Sequence, residues 1–192
     1  MMSKPQAIFI IGGPGVGKGT ICKYITNDFG FTTFSTGDLL RHVVKEKAEG
    51  WEQLDLDMKE GNLISSERVL FYLKDAILKS HKKIIFIDGY PRNQENVDVW
   101  NKFMSNFIDI KAVLFFDCSH ELMKKRIYGR KDGRNDDNEE TILKRINVFE
   151  KETKPLISMF DRKGILIKID CNKKMEDIYE EVKKVLRNLK II

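Results

Sequence analysis

The segment Gly12-Gly13-Pro14-Gly15-Val16-Gly17-Lys18-Gly19-Thr20 follows an apolar run at residues 7–11 and leads into residues of helical period. Glycines at this density let the backbone wrap closely around an anion, while successive amide N–H groups at a helix start point toward it. Lys18 is placed to bridge the outer oxygens of a polyphosphate. Phosphate binding by Gly15 through Thr20 is the chemistry this spacing implies. The bland alternative is a tight Gly/Pro turn with a chance lysine, and the strand before and helix after weigh against it. Gly19 stands where the general motif has Ser or Thr directly after the lysine, so Thr20 should meet phosphate or a metal shell less directly. A switch GTPase would also need an Asn-Lys-x-Asp string to read guanine. The nearest strings, at residues 101–104 and 172–175, both end in methionine, and the Asp-x-x-Gly spacing at 161–164 follows a helix late in the chain.

A second set of residues suits a second anion. Ser35-Thr36-Gly37-Asp38-Leu39-Leu40-Arg41 and Asp88-Gly89-Tyr90-Pro91-Arg92 each follow an apolar run, so each puts an arginine just beyond a strand end. Arginine recognises phosphate in a bidentate manner, and Arg41 and Arg92 converging beside the first loop would make a second phosphate pocket. Asp88 closes a buried strand, where an unpaired carboxylate is costly. It would either approach a hydrated Mg²⁺ through water or cap the following turn. Arg126 and Arg130 lie four apart on one helical face, Arg134 follows in a Gly-bounded stretch, and Arg145 falls in the next helix. Phosphoryl transfer calls for such a cluster, since the protein mainly aligns the reactants and neutralises charge on the moving group. Asp136 and Asp137 would orient those arginines or approach a ribose. Without the glycine-rich loop, the same arginines would read as an exposed, salt-bridged helix.

These groups need strand-end loops on a common sheet. Continuous apolar runs at 7–11, 83–87, 112–116 and 165–169, with a weaker one at 31–34, read as five strands buried on both faces. Helical periods occupy 19–28, 38–47, 65–79, 95–104, 121–128, 138–161 and 175–189, with Pro155 expected to kink the sixth or end its first half. Ser119 is a candidate N-cap for the fifth, and Asp137 or Asn138 for the sixth. The alternation predicts a three-layer α/β sandwich with a parallel sheet and ligands at the carboxyl ends of its strands. Residues 35–64 and 129–138 are polar insertions between core elements, expected to be mobile flaps of one domain spanning 1–192.

The 192 residues, 42% hydrophobic and 33% charged, suffice for one cored domain and argue against a disordered or membrane chain. No targeting segment is expected. Three widely spaced cysteines, Cys22, Cys118 and Cys171, support neither a disulfide framework nor a zinc site, so reduced thiols and a cytoplasmic location are expected. The net charge of +5 admits nucleic acid, membrane or phosphorylated small molecules as partners without choosing among them. His42, His81 and His120 have no nucleophile or metal-ligand spacing.

With these motifs together, the chain resembles the nucleoside monophosphate kinases and, within them, the UMP/CMP kinases, along nearly its whole length. The likeness rests on residues 12–20, Asp-Gly-Tyr-Pro-Arg-Asn at 88–93 and Gly-Arg-Asn-Asp-Asp-Asn at 133–138, and the family's displaced Ser/Thr accounts for Gly19. The resemblance implies ATP as donor with Mg²⁺, bound by Gly15, Val16, Gly17, Lys18, Gly19 and Thr20, with Arg126 near the base and Lys173 meeting it through its backbone. It implies that Thr36, Arg41, Asn62, Leu63, Ile64, Gly89, Tyr90, Pro91, Arg92 and Asn96 hold the monophosphate. Lys18, Arg92, Arg130, Arg134 and Arg145 would serve the transfer, the last two also touching the acceptor and Arg130 also ATP. Residues 35–64 would be the acceptor flap and 129–138 a short lid. Asn96, four residues after Arg92, together with residues 93–101 and 115–118, resembles the pyrimidine branch. A shorter amide than Gln suits a pyrimidine edge. Thr36 is shared with adenylate kinases, so AMP is the alternative acceptor. A nucleotide-dependent nucleic-acid-binding protein is the alternative of another class, although no aromatic-interleaved basic patch supports it. A monomer acting on free nucleotides is expected, with no nucleic-acid or membrane partner.

Overall fold

Strand β1 (Gln6–Gly12) is the centre of the molecule: residues Ala7 to Ile11 are at most 1% exposed. Such a run can persist only where both faces of a sheet are covered. The structure, a computed structural model, describes residues 4–129 and 138–192. In chain order the elements are β1, α1 (Lys18–Phe29), β2 (Thr32–Ser35), α2 (Thr36–Lys45), α3 (Trp51–Lys59), α4 (Ser66–Ser80), β3 (Ile84–Asp88), α5 (Gln94–Phe103), β4 (Asp109–Asp117), α6 (His120–Tyr128), α7 (Glu139–Val148), a π-helical turn (Phe149–Thr153), α8 (Pro155–Arg162), β5 (Leu166–Asp170) and α9 (Met175–Asn188).

The five strands form one sheet of order β2-β3-β1-β4-β5, and every pairing is parallel. All five expected strands are present. β4 starts earlier than the apolar run, because Asp109 and Ile110 pair with Gln6 and Ala7 before a register shift between Ala7 and Ile8. Helices cover the sheet, and Phe9 meets Tyr90 and Trp100 edge-on at centroid distances of 5.8 and 4.9 Å. The pairing of Ile10 with Asp88, continued by a bond from Gly89 N–H to the Ile10 carbonyl at 3.0 Å, holds the ends of β1 and β3 side by side. The glycine-rich loop and the Asp88 turn therefore emerge from adjacent strands.

Three local outcomes refine the sequence expectations. α2 begins at Thr36 rather than near Asp38, since Ser35 is the N-cap and its hydroxyl accepts the Asp38 N–H at 3.2 Å. Residues 35–64, expected as a polar insertion, contain an additional helix, α3, and a small core of their own in which Leu40, Val43 and Leu54 are buried. The span 138–161 is divided. Pro155 has no N–H to donate, and the ladder widens before it, with Lys154 N–H bonding the Phe149 carbonyl at 2.9 Å, five residues back. Pro155 then opens α8 at the position where a missing N–H costs nothing. Ser119 and Asn138 cap α6 and α7 by accepting from Leu122 and Thr141 N–H.

No described helix is long and apolar enough to cross a membrane, and no three His, Cys, Asp or Glu among the described residues form a metal-binding group.

Candidate active site

The loop between β1 and α1 closes tightly against its neighbours. Gly15 has φ +80°, and a Cβ there would fall 2.5 Å from the Met123 carbonyl oxygen, so only glycine fits both the conformation and the space. Lys18, the first residue of α1, folds back over the loop and donates to the carbonyls of Gly12 and Gly13, each at 2.8 Å. Its ammonium is thus held against the start of the glycine-rich loop.

Arg126 of α6 ties this loop to the far side of the sheet. Its guanidinium donates to the Val16 carbonyl at 3.2 Å and to the Lys173 carbonyl at 2.8 Å. The Lys173 ammonium pairs with Glu181 at 3.0 Å and Asp170 at 3.6 Å, and those partners raise its pKa. Arg126 and Lys173, assigned to the base side of ATP by resemblance, therefore stand together at the edge of the cradle.

At the end of β3 the second group assembles. Gly89 has φ +75°, and a Cβ there would lie 3.2 Å from Thr36 Oγ1 and 3.3 Å from Arg92 Nη2. Thr36 shares its hydroxyl proton between the carbonyls of Asp88 and Gly89, at 3.2 and 3.1 Å, anchoring the start of α2 to this turn. Arg92 donates through Nε to the Gly89 carbonyl at 2.9 Å. Water reaches the Arg92 side chain, yet protein surrounds its guanidinium on most sides; that desolvation lowers its pKa, Asp88 opposes the shift, and Arg145 and Arg41 add to it. An arginine remains charged under such pressure. Arg41, Arg92, Arg145 and Asp88 thus share one electrostatic neighbourhood, in which three cations repel one another and an added polyanion relieves the repulsion. Arg41 also pairs with Asp38 one helical turn away.

Beside this cluster lies a cavity lined by Thr36, Leu63, Ile64, Gly89, Tyr90, Arg92 and Asn96 from among the expected acceptor residues. Leu40 of α2 and Val69 of α4 complete its wall; as ordinary helical apolar residues they carried no sequence signal. Tyr90 is buried beneath it and donates its hydroxyl to the Asn96 carbonyl at 2.6 Å, and burial holds the phenol in its protonated form. Pro91 lies on the core side of Tyr90, against Trp100 and Phe160, and does not line the cavity. Asn62 faces α7 instead, its Oδ1 accepting from Lys144 at 2.6 Å. Thr153, in the π-helical turn, donates to the Arg92 carbonyl at 2.6 Å, a contact no local pattern announces.

Arg145 donates to the Met58 carbonyl at 3.5 Å, at the end of α3, and so lies where residues 35–64 meet α7. Asp88 is 8% exposed, with Oδ2 3.9 Å from the position of a Cβ on Gly19. A hard carboxylate at the start of α1 suits a Mg²⁺ that keeps its waters and takes its other ligands from phosphate. Arg130, Arg134, Asp136 and Asp137 lie, with the other residues of 130–137, outside the described residues.

A parallel sheet whose first strand runs into a lysine-closed glycine loop, with a pocket lined by Arg92 at the adjoining strand end, defines a P-loop fold with a second cationic site beside the loop. The sequence profile of the adenylate kinase family matches residues 10–165, and the chain belongs to that family. UMP-CMP kinase 3 of Arabidopsis thaliana is 44% identical over 182 residues, covering 95% of this chain and 89% of that protein. The UMP-CMP kinase of Bos taurus is 37% identical over 190 residues, with 95% and 97% covered, and that of Homo sapiens 38% over 187 residues, with 93% and 95% covered.

Proposed function

We propose that this protein catalyses the reversible transfer of the γ-phosphoryl group of ATP to UMP or CMP, giving ADP and UDP or CDP. The observation that carries the reading is the adjacency, on neighbouring strands, of the Lys18 loop after β1 and the Arg92 turn after β3, with Arg41 of α2 and Arg145 of α7 in the electrostatic neighbourhood of Arg92. Likeness to UMP-CMP kinases over at least 93% of the chain supports the pyrimidine acceptor.

In this reading the N–H groups of Gly15 to Thr20 take the ATP phosphates, and Lys18 exchanges its two loop carbonyls for phosphate oxygens. Arg126 and the Lys173 backbone frame the adenine. Arg41 and Arg92 grip the acceptor phosphate, with Thr36, Leu63, Ile64, Gly89 and Tyr90 shaping the pocket and Asn96 facing the base. An acceptor phosphate oxygen is already anionic near neutral pH, its second pKa being about 6, so no general base is needed. That oxygen attacks the γ-phosphorus, the bond to the β–γ bridging oxygen breaks, and the bond pair leaves on the β-phosphate. Arg92 and Arg145, with Arg130 and Arg134 from the lid, offset charge on the moving group. Mg²⁺, held through water at Asp88, would supply further neutralisation of the ATP phosphates. Residues 35–64 and 129–138 close over the nucleotides and exclude water, which would otherwise compete as acceptor. Both sites come from one chain, which supports a monomer working on free nucleotides, and three buried, unbridged thiols support the cytoplasm.

Initial rates with UMP, CMP and AMP at fixed MgATP test the reading. UMP or CMP should exceed AMP by roughly tenfold or more in kcat/KM, the scale of a pocket that hydrogen-bonds its substrate. A preference for AMP would overturn the acceptor assignment. Tight, salt-sensitive RNA or DNA binding without any transfer would overturn the enzyme reading.

A further inference from the structure

Asn96 is 4% exposed, and its side-chain amide is held at both ends. Oδ1 accepts the Arg92 N–H at 2.9 Å, Nδ2 donates to Ser66 Oγ at 2.7 Å, and Ser66 donates onward to Glu95 Oε2 at 2.7 Å. An amide side chain has two N–H groups and two oxygen lone pairs. These contacts use one of each and leave one of each for a ligand. Turning the amide round would set its NH₂ against the Arg92 N–H. It would also need the Ser66 proton, which Glu95 already draws to the other side. Ser66 is fully buried as the first residue of α4, and Glu95 stands in the first turn of α5, so the carboxylate lies near two helix N-termini, where negative charge is favoured.

We propose that Ser66 and Glu95 are positioning residues that fix the direction of the Asn96 amide and through it set how the acceptor's base is read. Cytosine presents an amino donor where uracil presents a carbonyl acceptor. An amide locked in one direction meets those two edges differently, whereas one free to turn would not. The inference rests on the reading that Asn96 faces the base, and the experiment separates the two.

Steady-state kinetics with UMP and CMP are compared for Ser66→Ala, Glu95→Ala, Glu95→Gln and Asn96→Ala, and for Ser66→Ala combined with Asn96→Ala. Ser66→Ala and Glu95→Ala should each raise the acceptor KM roughly five- to tenfold, as for one buried donor left without its partner. kcat and the KM for ATP should stay within about twofold. Glu95→Gln keeps an oxygen to accept the Ser66 proton and should restore most of the loss. In the Asn96→Ala background, Ser66→Ala should add nothing, because its effect passes through that amide. Additive losses would show that Ser66 acts only on the fold and would overturn the proposal. An unchanged KM in Ser66→Ala and Glu95→Ala, with Asn96→Ala impaired, would overturn the relay and leave the Asn96 reading standing. An unchanged KM in Asn96→Ala would overturn that reading itself. Glu95 is exposed, so its variants decide the matter if Ser66→Ala fails to fold.

Discussion

Arg92 is held at three of its own atoms: its N–H by Asn96 Oδ1, its carbonyl by Thr153 and its Nε by the Gly89 carbonyl. Two of these bonds fix its backbone and the third anchors its guanidinium, so less entropy remains to be lost on binding phosphate. Arg92→Ala should lower kcat/KM for the acceptor by about 100-fold or more, as expected for the loss of a charge-assisted bidentate contact. Lysine at this position should rescue little, since a point charge cannot reproduce the fork. Near-normal kinetics of Arg92→Ala with UMP and CMP would exclude it from the site. The cysteines have no such role open to them. Burial raises the pKa of Cys22 and Cys118 and takes that of Cys171 to about 12, so none is a ready thiolate at neutral pH.

Among the elements, the junction of α3 and α7 governs how residues 35–64 sit over the cavity. The turn after α3 bonds back to the helix, with Glu60, Gly61 and Asn62 N–H reaching the Leu56, Met58 and Asp57 carbonyls, and α7 grips the same end from outside. Thr141 of α7 donates to the Lys59 carbonyl at 2.8 Å and Arg145 to that of Met58, while Lys144 bonds Asn62 in the following turn. Thr141 is buried by this contact, and a Cβ on Gly61 would lie 3.1 Å from its methyl group. A group proposed to meet the moving phosphoryl thus also steadies the flap over the acceptor. The double variant Thr141→Val, Lys144→Ala should raise the acceptor KM about three- to tenfold, the scale of one or two modest hydrogen bonds. The melting temperature should change little, because both contacts lie away from the main core. Unchanged acceptor kinetics would show that the bridge plays no part in holding the flap.

For the whole molecule, the parallel sheet places the Lys18 loop and the Arg92 turn at the ends of adjoining strands, so on the proposed reading a mimic joining both nucleotides should bind one chain with one-to-one stoichiometry. It should raise the melting temperature more than either nucleotide alone at equal concentration, since it draws on both sets of contacts. Calorimetry and thermal melts check this, and a mimic that binds no better than ATP would argue against adjacent sites. The strands, the glycine loop and the Arg92 turn were legible in the sequence, because buried parallel strands are continuous apolar runs and phosphate cradles need glycine at short, regular spacing; Arg41 proved to stand within α2. α3 was not legible, since Trp51-Glu52-Gln53-Leu54 reads as polar and its single buried leucine finds its core only against Leu40 and Val43 of another helix. The Thr153, Ser66 and Glu95 contacts were equally hidden: they join residues 61, 30 and 29 positions apart, and no local pattern records which distant hydroxyl will meet which amide. Local composition determined the sheet and where phosphate can lie, because backbone geometry and burial act over a few neighbouring residues. Only the tertiary structure decided how Arg92 and Asn96 are held and what α7 grips, because hydrogen bonds between distant segments exist only once the chain has packed.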